Sequence, residues 1–77
     1  MNRADIIKQL AEAEREVSED TASVERLRVR VQELYRTEAN KAEIDKAFSD
    51  MIAMEERLSL HERDRDWFAE ALRSADG

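Results

Sequence analysis

The sequence predicts an all-α protein: an antiparallel two-helix coiled-coil hairpin that dimerises into a four-helix bundle. Three observations lead there. The first is composition. The 77 residues contain no proline and one glycine, at the last position, and 42% are charged. That is the composition of long helices. The second is a heptad repeat. In the first half, position a falls on Leu10, Val17, Val24 and Val31, and d on Ile6, Ala13, Asp20, Leu27 and Leu34. Repeats of this kind pack helices side by side along one seam. The third is a slip of one residue in that repeat after Tyr35. In the second half, a falls on Ile44, Met51, Leu58, Arg65 and Leu72, and d on Ala47, Met54, His61, Phe68 and Ala75. A slipped frame means the chain does not continue as one straight coiled coil.

Taken in order, the pattern predicts helix 1 over about 3–37, a turn over about 37–41 and helix 2 over about 41–74, in a single domain. The turn candidate is Thr37-Glu38-Ala39-Asn40. Asn40 followed by Glu43 matches a capping box that would start helix 2, and Asn40 is equally suited to be the left-handed residue closing helix 1. Each arm is roughly 50 Å long at 1.5 Å per residue. Folding the chain about position 39 sets every a residue opposite a d residue: Leu34 faces Ile44, Val31 faces Ala47, Leu27 faces Met51 and Ile6 faces Leu72. Arg30 and Asp50, both at g, become neighbours across the seam.

The middle of this seam is polar. Asp20 takes a d position, and His61 and Arg65 take core positions on the opposite arm, with Glu14, Glu16, Glu62 and Asp64 around them. Ser18-Glu19-Asp20-Thr21-Ala22-Ser23 also favours caps and turns, and Ser59-Leu60-His61-Glu62 is a further capping-box match, so either helix has a place to break. The expectation is that both helices run through. A His among carboxylates raises the question of a metal. The Glu-x-x-His spacing of di-metal bundles is missing, since Leu58 stands three residues before His61. A lone core histidine is more often structural. Asp20, His61 and Arg65 are therefore read as a polar layer that sets register.

The chain has no cysteine, no glycine-rich phosphate loop and no zinc-ligand spacing, so neither an enzyme nor a cofactor is expected. The net charge is −6, which disfavours direct nucleic-acid binding. No stretch approaches the ~18 apolar residues of a membrane span. The first residues lack an apolar signal region and read as the start of an unsecreted, cytoplasmic protein. Arg26, Arg28 and Arg30 spread around the helix axis instead of forming one patch, and are expected to pair with acids such as Glu25 and Asp50.

Apolar residues off the seam carry the functional signal. Ile7, Tyr35 and Phe48 fall at e and Ile52 at b, while Leu60 and Trp67 share a stripe at c. A single hairpin leaves all of them facing water. A chain this short also struggles to bury a sufficient core alone. Trp67, Leu60, Phe48, Ile52, Tyr35 and Ile7 are therefore the expected partner or oligomer interface. The expectation is a homodimer with a further protein partner and no membrane contact, acting as an adaptor, co-chaperone or regulator. The alternatives are an acidic inhibitor that occupies a nucleic-acid-binding groove of a target protein, and a metal-binding helical bundle.

Overall fold

The computed structural model describes residues 2–76. It consists of two long helices, α1 (Arg3–Arg36) and α2 (Lys41–Asp76), that fold back on each other as an antiparallel hairpin. The long axis of the molecule is 56 Å and the other two are 15 and 14 Å. The 34 residues of α1 span about 51 Å at 1.5 Å each, so the molecule is one helix long and two helices wide.

Each end of α1 is capped by the local sequence. Asn2 is the N-cap, and its side chain accepts a 2.9 Å hydrogen bond from the Asp5 amide. At the other end Thr37 is the C-cap and Glu38 adopts a left-handed conformation with φ 56°. The Glu38 amide donates to the Tyr35 carbonyl at 3.2 Å, and the Ala39 amide to the Leu34 carbonyl at 3.0 Å. These two bonds define a Schellman motif, with Glu38 where glycine is usual. Ala39 completes it by packing against the cluster of Val31, Leu34 and Ala47. Of the two roles open to Asn40, the structure takes the N-cap of α2: its Oδ1 accepts from the Glu43 amide at 2.9 Å.

Both helices run unbroken through the polar middle. In α1 the Thr21 hydroxyl satisfies itself by donating to the Val17 carbonyl at 2.7 Å, which lets a turn-favouring residue stay in a helix. Salt bridges along the outer faces link Arg15 to Glu19 at 2.8 Å, Arg28 to Glu25 at 2.9 Å and Lys41 to Asp45 at 2.8 Å.

The core lies on the heptad seam. Ile6, Ala13, Asp20, Val24, Val31, Leu34 and Ala47 are buried, and all occupy a or d positions. Leu10, Val17, Leu27, Ile44, Met51, Met54, Leu58, Phe68 and Leu72, also at a or d, are half-buried. The apolar cluster nearest the turn joins Val31, Leu34 and Ala47 with Ala39, Ile44 and Met51, as a fold about position 39 requires. Among the described residues no side chain is wholly excluded from solvent. Two helices enclose a strip, not a volume.

Candidate interaction surface

A buried polar layer lies midway along the hairpin. Asp20 is 5% exposed. Its carboxylate accepts a hydrogen bond from His61 Nδ1 of α2, and its other oxygen lies 3.7 Å from Arg57 Nε. The second ring nitrogen of His61, Nε2, lies 3.4 Å from Glu16 of α1. Asp20 thus sits as a knob between Arg57 and His61, beside its facing residue Leu58. Arg65 does not join this group; it turns to its neighbour Asp66, at 3.0 and 3.1 Å. Arg57 takes a place in the layer that core periodicity does not reveal, because it lies at g, beside the seam. The facing sum of 77 for Asp20 and Arg57 is the signal that would have found it. Between Lys8 and Arg73, the ion pairs that cross from one helix to the other all meet in this layer.

A carboxylate buried to this degree needs partners, and here they come from the opposite helix. Sliding α2 by one heptad would put Asp50 and Met54, or Asp64 and Phe68, in the places of Arg57 and His61 and remove these partners. Among the described residues, no group of three His, Cys, Asp or Glu side chains is arranged to hold a metal ion. Elsewhere Asp50, expected near Arg30, bonds Lys46 of its own helix at 3.0 Å, while Arg30 and Asp50 line one groove between the helices.

The off-seam apolar residues are all exposed: Ile7, Tyr35, Phe48, Ile52, Leu60 and Trp67, together with Val29 at f. They do not form one surface. In an antiparallel pair the e positions of both helices border one flank of the seam and the g positions border the other. Tyr35 and Phe48 at e, with Ile52 at b beyond, lie on the first flank. The register sets Phe48 level with Arg30 and Ile52 level with Arg26, so these three residues fall within about 14 Å along the axis. Ile7 shares that flank at the far end. Leu60 and Trp67 at c lie on the opposite flank. There Trp67 borders an open cleft with Gln9, Glu12, Ala13, Glu16, Asp64 and Phe68. Its indole meets the Phe68 ring edge-on, with centroids 5.0 Å apart and planes at 85°.

No helix among the described residues is long and apolar enough to cross a membrane. Comparison of the chain with family models, with curated proteins and with solved structures finds no match in any of the three.

Proposed function

We propose that this chain is a small, acidic, non-enzymatic protein–protein interaction module, of the adaptor, co-chaperone or regulator kind, that works as a twofold homodimer and presents helix faces to a further protein. The observation that carries this reading is an excess of exposed surface along the two flanks, where large apolar side chains stand in the open. The chain exposes 5698 Å². A compact monomer of its 9.0 kDa would expose about 4,900 Å². The excess is close to the roughly 800 Å² that each partner buries in a standard protein interface. Elongated shape accounts for where that area lies: along the two flanks, where Tyr35, Phe48 and Ile52 stand on one side and Leu60 and Trp67 on the other.

Charge assigns the flanks. Residues 21–57, which form the turn half, hold 8 acidic and 7 basic side chains. Two copies can meet there without net repulsion, so the Tyr35–Phe48–Ile52 flank is the dimer contact, and a pair of hairpins joined on it makes a four-helix bundle. The Trp67 flank lies in the acidic half and is left for a different protein.

Sedimentation of the wild-type chain over a range of concentrations should show a monomer–dimer equilibrium or a stable dimer. A Phe48→Ser/Ile52→Ser variant should keep its helix content and weaken dimerisation at least roughly tenfold, the scale of losing two anchored apolar side chains. A wild-type chain that stays monomeric at high concentration removes the dimer. A second reading, an acidic inhibitor seated in a nucleic-acid-binding groove, draws only on the acidic half; it requires that duplex DNA or RNA displace the chain from its target.

A further inference from the structure

The net charge of −6 is unevenly placed. Residues 1–20 and 58–77 hold 11 acidic side chains against 6 lysines and arginines. The hairpin stacks these two segments on each other, so one end of the molecule carries nearly all of the excess charge. The cleft beside Trp67 lies in that end. Ala13, Trp67 and Phe68 line it together with Glu12, Glu16 and Asp64. Every charged side chain lining the cleft is an acid.

These carboxylates are poorly matched within the chain. Glu12 lies 3.8 Å from Arg15, whose shorter contact, 2.8 Å, goes to Glu19. Glu16 has the 3.4 Å approach of His61 Nε2. Asp64 has no partner among the described residues. Trp67 is 61% exposed, and its edge-on contact with Phe68 holds the indole in place at the border of the cleft. An indole face attracts a cation through its quadrupole, and the carboxylates attract the same cation through their charge. A guanidinium satisfies both, because it stacks on the ring while its fork of N–H groups reaches the carboxylates.

We infer that the cleft receives an arginine or lysine side chain from a basic segment of a protein partner. This deepens the interaction-module reading and rests on it. Charge decides the occupant. In the proposed dimer the second copy sits on the opposite flank, and a purely apolar helix would strip water from three carboxylates without replacing it.

Trp67 is the single tryptophan, so its emission reports occupancy directly. The full chain is titrated with a blocked alanine-based peptide that carries arginine at every fourth residue, and with the same peptide bearing citrulline, which keeps shape and hydrogen bonding but loses the charge. Saturable quenching or shift by the arginine peptide is expected, weakened at least roughly fivefold by citrulline. Asp64→Asn, at an exposed position that leaves the fold intact, should weaken arginine-peptide binding about threefold or more and flatten its salt dependence. Trp67→Leu, followed calorimetrically, should weaken it although the site stays apolar. Equal binding of the citrulline peptide, no effect of Asp64→Asn, or equally tight binding of spermidine or choline would overturn the proposal. If no peptide binds while Phe48→Ser/Ile52→Ser still breaks a dimer, the cation site fails and the interaction module stands.

Discussion

Glu38 is the residue whose conformation is least suited to its type. A non-glycine residue in the left-handed region carries a steric cost of about 1 kcal/mol, because its Cβ crowds the backbone. Glu38→Gly should therefore stabilise the fold by about 0.5 kcal/mol, after allowing for the looser unfolded chain, and thermal or urea denaturation will read the sign. Asn40→Ala should move stability the other way, by about 1 kcal/mol, since the Glu43 amide loses its acceptor. Asp20 and His61 call for a cycle, not a single substitution. Removing His61 alone leaves a buried carboxylate with only Arg57 at 3.7 Å, so His61→Leu should destabilise by about 1–3 kcal/mol. Replacing both, as Asp20→Leu/His61→Leu, should restore stability or exceed the wild type, with the choice of register or oligomer state relaxed. A double variant less stable than either single one would show that the layer stabilises the fold outright.

At the scale of the helices, the seam makes a sharp contrast between neighbours in sequence. Leu34 is 7% exposed and Val29 is 50% exposed. Leu34→Ala should lose about 2–3 kcal/mol, at the low end for buried leucines because a two-helix strip lets water or side chains fill the gap. Val29→Ala should stay within about 0.5 kcal/mol. Equal losses in chemical denaturation would place the seam elsewhere. The helices also differ in what surrounds the seam. The large exposed apolar residues of α1 are Ile7, Val29 and Tyr35. Those of α2 are Phe48, Ile52, Leu60 and Trp67, so the second helix carries more of the exposed aromatic and aliphatic surface.

For the whole molecule, the hairpin makes a distance prediction. Spin labels at positions 10 and 68, each on an outward-turned replacement of Leu10 or Phe68, should report a short intramolecular separation. One continuous helix would set them about 87 Å apart at 1.5 Å per residue. Diluting labelled with unlabelled chain isolates the intramolecular signal from any dimer. Polarity is arranged at the same scale: a near-neutral turn end with an apolar flank, and an acidic open end with an indole. Dimerisation should accordingly respond weakly to salt, whereas partner binding at the open end should fall steeply with it.

The two helices, the turn between them and the residues of the seam are legible in the sequence. Those are set by short-range spacing: apolar residues every three or four positions, and a capping pattern at Asn40. It also marked Trp67, Phe48 and their fellows as lying off the seam. What it left open needed positions in space. Asn40 was compatible with two caps, and only the backbone assigned the left-handed place to Glu38. Arg65 shares a core position with His61 in the repeat, yet its long side chain leaves the seam for Asp66, while Arg57 reaches in from the side. The off-seam apolar residues group as one expected interface although their e, b and c positions divide them between two flanks, and only the antiparallel pairing brings Glu12 and Glu16 of the first helix beside Trp67 of the second. Heptad spacing records which face a residue takes; which residues of the other helix share that face depends on the register, and the register is decided by the packing of one helix on the other.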